Sequence, residues 1–154
     1  MAEPATLYRK PGALTRRMMN PVMMAATRMG VSVWGSRVLE VRGRKSGATQ
    51  RTPVNLLALD GREYLVAPRG ETQWVRNVRA DAGRLALVRG RHREERVARE
   101  LSDDEKPPVL RAYLRRWKME VGMFFDGVSA ESSDEDINRV APRHPVFVLD
   151  EKPR

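Results

Sequence analysis

The stretch Arg51-Thr52-Pro53-Val54-Asn55-Leu56-Leu57-Ala58-Leu59-Asp60-Gly61-Arg62-Glu63-Tyr64-Leu65-Val66-Ala67 decides the fold class. About Arg51 to Leu59 reads as one strand and about Glu63 to Ala67 as the next. Asp60-Gly61 between them is a strong hairpin-turn pair, because the favoured two-residue turn needs positive φ at its central residues. Pro53 cannot donate to a ladder. It marks an edge or an opened ladder, where a ligand can lie against the backbone.

Upstream, Val38-Leu39-Glu40-Val41 is a short extended run that ends in the loop Gly43-Arg44-Lys45-Ser46-Gly47. Downstream, Pro68, Arg69 and Gly70 break the strand, and Thr72 is placed to cap a short helix over about Gln73 to Ala80. Leu85 to Val88 and about Glu95 to Leu101 form a further hairpin across Gly90. Ser102-Asp103-Asp104-Glu105 has capping-box spacing and opens a helical stretch to about Trp117, with Pro107 and Pro108 near its start. Met119 to Gly127 is apolar without a clear period. Ser133 to Val140 reads as a short helix and Val146 to Leu149 as a last strand. Hairpins in succession, with no β-α-β alternation, predict an α+β, mainly β chain: an antiparallel sheet or barrel with peripheral helices.

Residues 1–12 are Pro- and Gly-punctuated and predicted loose. Residues 13–30 read as an amphipathic helix with Leu14, Met18, Val22, Ala25 and Met29 on one face. Asn20-Pro21 interrupts it with an N-cap and first-position pair, and Gly30 closes it. Arg16, Arg17 and Arg28 lie opposite. Such a helix either covers a core or rests on an anionic membrane surface.

The 154 residues fit one domain and can bury a core without disulfides. There is no cysteine, which excludes thiolate metal sites and cysteine nucleophiles. The net charge of +9 suits an anionic partner. It is uneven: residues 1–99 hold 20 Lys+Arg against 8 Asp+Glu, whereas residues 100–154 hold 9 against 12. Aromatic residues make up 6%, few for the stacking platforms of a single-strand binder, so nucleic acid is a poor fit. No apolar run reaches membrane-span length and no secretory leader is legible, so a cytoplasmic protein is expected, with peripheral membrane contact through the N-terminal helix as the variant.

No dinucleotide fingerprint, P-loop or nucleophile elbow is present. His92 and His144 lack metal-ligand partners at useful spacing and read as surface or hydrogen-bonding residues; no metal site is expected. No catalytic residue can be named, and a cofactor is the expected source of the reactive atom. The best candidate for holding one is the glycine-bounded basic loop. Its glycines permit a tight turn, Arg44 offers a planar fork, Lys45 a point charge and Ser46 a hydroxyl. Those are the parts of a phosphate cradle, although an ordinary solvated hairpin loop uses the same residue types. Trp74 and Asn77 share one side of the short helix. They suit either a ring-bearing ligand or a core tryptophan beside a hydrogen-bonded amide.

Taken in order, Gly43-Arg44-Lys45-Ser46-Gly47, Arg51-Thr52-Pro53-Val54-Asn55, Tyr64-Leu65-Val66-Ala67-Pro68-Arg69-Gly70 and Trp74-x-x-Asn77 resemble the deazaflavin-dependent nitroreductase and quinone reductase family, typical of actinobacteria. The similarity is best over about Val38 to Gly90. It implies an antiparallel split β-barrel of the flavin-reductase type over residues 1–154, and coenzyme F(420), an anionic deazaflavin, as cofactor. It implies that Arg44, Lys45 and Ser46 hold the coenzyme's phosphate, assisted by the strand carrying Gln50, Arg51 and Pro53. It implies that Val66, Ala67, Pro68 and Arg69 line the deazaflavin ring, and that Gln73, Trp74 and Asn77 contact the coenzyme. Gln50 stands where some members carry the strand's arginine, and Arg51 points to the opposite face. The family's substrate-side tyrosines have no match; Trp117, Phe124 and Phe125 stand in that region as the candidate substrate pocket.

The expected activity is hydride transfer from reduced coenzyme F(420) to a quinone, nitroaromatic or similar small-molecule acceptor, in a chain that can form a homodimer. The alternatives are an FMN-dependent reductase and a non-catalytic barrel that binds a flavin, deazaflavin or lipid.

Overall fold

The computed structural model describes residues 36–150, the side chains of 118–120 excepted. The loose tail over 1–12, the helix over 13–30 and its membrane contact lie outside the described residues.

Six strands run β1 Ser36–Arg42, β2 Thr49–Leu59, β3 Arg62–Val66, β4 Arg84–Arg89, β5 His92–Glu100 and β6 Val146–Leu149. Helix α1 spans Gln73–Ala80, α2 Pro107–Val121 and α3 Asp134–Val140. The strands close into an antiparallel barrel in the order β1-β2-β3-β6-β5-β4. Asp60 (φ 52°) and Gly61 (φ 78°) turn the chain between β2 and β3, in register from Leu59↔Arg62. Gly90 (φ 62°) opens the turn between β4 and β5, which pair from Arg89↔His92.

Pro53 marks where the barrel splits. All seven residues Thr49 to Asn55 pair with β1, but β2 pairs with β3 only over Leu56–Leu59. Among the described residues, the half of β2 that contains Pro53 therefore pairs on one side only, the opened ladder expected of a proline inside a strand.

Period-two alternation sends one set of side chains inward. Leu39, Val41, Leu65, Leu85, Leu87, Ala98, Phe147 and Leu149 form the barrel core, and α1 adds Val75 and Val78. A second core lies outside the barrel, between α2, α3 and the outer faces of β2, β3 and β6. Val109, Leu110, Tyr113, Leu114 and Trp117 make one stripe of α2 at helical spacing and bury against Leu57, Val66, Val146 and Val148. Each fully buried aliphatic chain here contributes about 1.5–3 kcal/mol. Trp117 departs from helical geometry (φ −124°, ψ 31°), so α2 kinks there.

The helix starts are mixed. Ser133 caps α3 by accepting from the Asp136 N–H at 3.1 Å. The predicted box at Ser102 opens a short 3-10 turn over Asp103–Glu105, ahead of α2, with Glu105 accepting the Ser102 N–H at 2.8 Å. Thr72 occupies the N-cap of α1, but its hydroxyl makes no capping bond. The stretch without a clear period ends α2 and continues as a 3-10 turn over Gly122–Phe124.

Strand β5 overturns its own hydrophobic pattern. Val97 is 49% exposed, whereas Arg96 is 3% exposed and faces the barrel interior with Ala98. The Arg96 guanidinium reaches Glu63 at 2.7 Å, Glu94 at 2.9 Å and the Asp150 carboxylate at 3.1 Å, and also donates to the Asp150 carbonyl. Arg37 belongs to the same end of the barrel. Burial and then the Arg89 charge push its guanidinium down from the usual arginine value, while Glu63 and Glu94 act the other way.

Candidate functional site

The glycine-bounded loop stands at the opposite end of the barrel from this charge cluster, where β1 hands over to β2. The Gly43 N–H donates to Ala48 O and the Gly47 N–H to Gly43 O, both at 2.8 Å. The Ala48 N–H donates to Ser46 Oγ at 3.1 Å. A Cβ on Gly43 would come within 3.1 Å of Ala48 O and Ser46 Oγ, and within 3.2 Å of Gln50 Nε2. The Ser46 hydroxyl and the Gln50 amide thus converge on a position that only a glycine leaves uncrowded.

Helix α1 grips the loop from the side. The Arg44 N–H donates to Asn77 Oδ1 at 3.1 Å, and Arg44 Nη1 donates to the same oxygen at 2.8 Å and to Gln73 Oε1 at 2.9 Å. Asn77 is 4% exposed, so its single acceptor fixes both the backbone and the side chain of Arg44. The sequence put Asn77 beside a ligand or inside a core. The structure puts it in the core, bonded to the loop. Trp74 is half-buried at the barrel mouth, its ring 5.8 Å from that of Phe147. Asn77→Leu should cost about 1–3 kcal/mol of stability, because it strands the Arg44 donors, whereas Asn77→Asp retains the acceptor. Urea unfolding of both variants, with Arg44→Ala to close a double-mutant cycle, checks this. A coupling below about 0.5 kcal/mol would mean that the two residues act independently.

The other candidates divide by face. Gln50 turns to the loop. Arg51, one residue on, turns away and donates to Glu40 at 2.9 Å, where Arg93 also donates at 2.9 Å. Val66 and Ala67 are buried, and Pro68 and Arg69 half-buried, at the end of β3. The Arg69 guanidinium lies 5.4 Å from the centroid of the Phe124 ring. Of the three substrate-pocket candidates only Phe124 keeps partial exposure. Trp117 and Phe125 are 2% and 0% exposed and belong to the outer core, so they act on a pocket only through packing.

The two histidines occupy opposite environments. His92 is exposed, but His144 is 0% exposed, and among the described residues neither of its ring nitrogens has a partner at full hydrogen-bond geometry, although backbone groups of Ala67 and Pro68 act on the ring. Its ring stacks on Phe125 with centroids 4.0 Å apart and an interplanar angle of 21°. Burial pushes its pKa down to about 4, and the Lys106 and Arg143 charges act in the same direction. Its place before Pro145 and the buried β6 strand was the available signal. A solvent-open cavity of about 620 Å³, lined by Leu59, Asp60, Arg111 and Arg115 among others, shares no residue with this site.

The donor set around Gly43 fits an anionic coenzyme. The Ser46 hydroxyl and the Gln50 amide meet there, the loop carries the cations Arg44 and Lys45, and the half-buried Trp74 stands beside Phe147 on the barrel core. Donors of this kind match phosphate oxygens, and the mouth suits a ring.

Comparison with known proteins agrees with that chemistry. A family model described as F420H(2)-dependent quinone reductase matches residues 14–123. No curated protein matches. Among solved structures, an F420-H2 dependent reductase (FDR-A) superposes with a TM-score of 0.51 at 20% identity, over 75% of this chain and 94% of the other. A chain described as a domain-swapped dimer gives 0.53 at 20% identity, over 92% and 100%. The Atu2129 protein from Agrobacterium tumefaciens gives 0.55 at 18% identity, over 94% and 60%. At such identities the structures speak for the shared fold, a split barrel. The family match spans most of the chain and includes the basic loop, the opened strand and the α1 clasp, so this chain belongs to the F420H(2)-dependent quinone reductase family and is a deazaflavin-dependent reductase.

Proposed function

We propose that this protein reduces quinones, and related conjugated acceptors such as nitroaromatics, with coenzyme F(420) as hydride donor. The observation that carries this reading is the Arg44 clasp. Asn77 and Gln73 hold the guanidinium at the loop before any ligand arrives, so little side-chain freedom remains to be lost on binding.

Arg44, Lys45, Ser46 and Gln50 would hold the phosphate. Val66 to Arg69 and Trp74 would flank the ring. When bound, the reduced deazaflavin supplies the hydride. The protein's share is placement: the acceptor must lie about 3–3.5 Å from the donor atom, and the half-buried mouth must keep bulk water from separating them. Arg69, which lies over Phe124, would add positive charge beside the charge that develops on the acceptor. Arg51 has its own carboxylate partner and is assigned to the outer surface of the sheet.

Reduced coenzyme F(420) should be oxidised, as followed by absorbance, when menadione is added to the full chain. NADH and NADPH should not replace it. Lys45→Ala should weaken coenzyme binding by about 1.5–3 kcal/mol, the worth of a charge-assisted contact, and added salt should weaken the wild type more than the variant. Binding without turnover across quinones, nitroaromatics and enones would favour a non-catalytic barrel. Binding of FMN in place of the deazaflavin would mean that the loop takes a different coenzyme.

A further inference from the structure

His144 is a buried histidine whose two nitrogens have no full hydrogen bond among the described residues, and the reaction as described leaves it unused. Removing such polar groups from water without a partner is costly, so their retention calls for a reason. The backbone dipoles that act on the ring are those of Ala67 and Pro68, and they favour its protonated form. Carbonyl oxygens have that effect and amide N–H groups the opposite. Pro68 has no N–H at all, so the group facing the ring is a carbonyl. The Ala67 N–H is already committed to Pro145 O at 2.9 Å, and Ala67 O accepts the Gly70 N–H at 3.1 Å.

Two consecutive phenylalanines brace the same turn. Phe125 stacks on His144, which faces the backbone of Ala67 and Pro68, and Phe124 lies under the Arg69 guanidinium. Ala67–Pro68–Arg69 is thereby held at both ends, at one by an imidazole and at the other by the half-buried Phe124 ring. An imidazole kept neutral retains one N–H to donate.

We propose that His144 is a positioning residue that, when coenzyme is bound, donates a ring N–H to the carbonyls of Ala67 and Pro68 and so sets the backbone that this turn presents to the deazaflavin ring. The inference rests on the reading that Val66 to Arg69 flank the coenzyme. It assigns His144 no contact with coenzyme or acceptor.

The test uses the full chain with oxidised coenzyme F(420). His144→Leu keeps most of the volume and removes the donor; His144→Gln keeps an amide donor. The expected result is that the leucine variant melts no lower than wild type at pH 7.5, because two unpaired polar atoms are gone, yet binds coenzyme about tenfold more weakly. The glutamine variant should bind within about twofold of wild type. Leucine and wild-type proteins of equal affinity would overturn the positioning role and leave the coenzyme reading intact. A wild type that binds no coenzyme would overturn both. Nitrogen-15 histidine labelling of the wild type gives a readout independent of either variant. Only two histidines report, and coenzyme should bring one imidazole N–H proton into slow exchange with water; its absence in the saturated complex would overturn the proposal even where the leucine variant failed to fold.

Discussion

Arg96→Met should destabilise the protein by about 3 kcal/mol, the lower part of the range for removing one partner from a buried ion cluster. The Arg96 side chain is 2% exposed, while Glu63 and Glu94, at 17% and 18%, point at it from β3 and from its own strand. Without the guanidinium these two carboxylates repel each other with little water between them, and the partly buried Arg37 nearby offsets only part of that. Their repulsion and desolvation make the loss, more than any missing contact. For a chain of this length the melting temperature should fall by roughly 6–12 °C. Because the cause is stranded charge, adding Glu63→Gln and Glu94→Gln to Arg96→Met should recover most of the loss. Moderate salt should not rescue the single variant, since the cluster is shielded from the ionic atmosphere. Thermal unfolding of the three proteins decides it. An Arg96→Met protein within about 1 kcal/mol of wild type would show that the cluster opens to water at no cost.

This cluster also shows where reading the sequence stops. The strand expected over about Glu95 to Leu101 alternates charged and apolar residues around Val97, and in the structure it is Arg96, not Val97, that is buried. A period of two says which residues share a face but not which face turns inward, and a shift of one residue exchanges them. Here the ladder with β4 aligns Leu85 with Arg96 and Leu87 with Glu94, and inward-facing Leu85 and Leu87 carry the charged residues inside with them. Charge in the barrel end is a consequence of non-local pairing, which a single chain does not display.

Local chemistry was more transparent. Asp60-Gly61 turned as such pairs do, α1 runs over Gln73–Ala80 as expected from its flanking breaks, and Pro53 sits where the ladder opens. Those signals are short-range and steric. Closure of the barrel through β1 with β4, and through β6 between β3 and β5, joins segments distant in sequence and carries no local mark. At the site, the loop and the helix were each legible as candidates, but the clasp between Arg44 and Asn77 spans 33 positions and emerges only in the fold. Trp117 and Phe125 failed as pocket residues for a similar reason. An aromatic in an aperiodic apolar stretch has no preferred face until α2 is docked on the barrel.

Acid should weaken the protein through His144, and the sign follows from its burial. Its folded-state pKa, about 4, lies below the ordinary value of 6.5, because burial disfavours the charged ring and the Lys106 and Arg143 charges add to that. The unfolded chain therefore binds this proton more readily than the folded one. The stability linked to the neutral ring is fully present above about pH 6.5, is lost as pH falls toward 4, and changes no further below that. Integrated over the window the loss is about 3 kcal/mol. Carboxylates such as Glu40, held below its usual range despite burial by hydrogen bonds from Arg93 and Arg51, add an acid lability of their own at lower pH. The contribution of His144 is therefore read as a difference. Urea unfolding of wild type and His144→Leu between pH 7.5 and 4.5 should give curves that separate as the pH drops, with the variant losing less. Parallel curves for His144→Leu would mean that water reaches the buried ring once it is charged, and that the pocket around it opens more easily than its packing against Phe125 indicates.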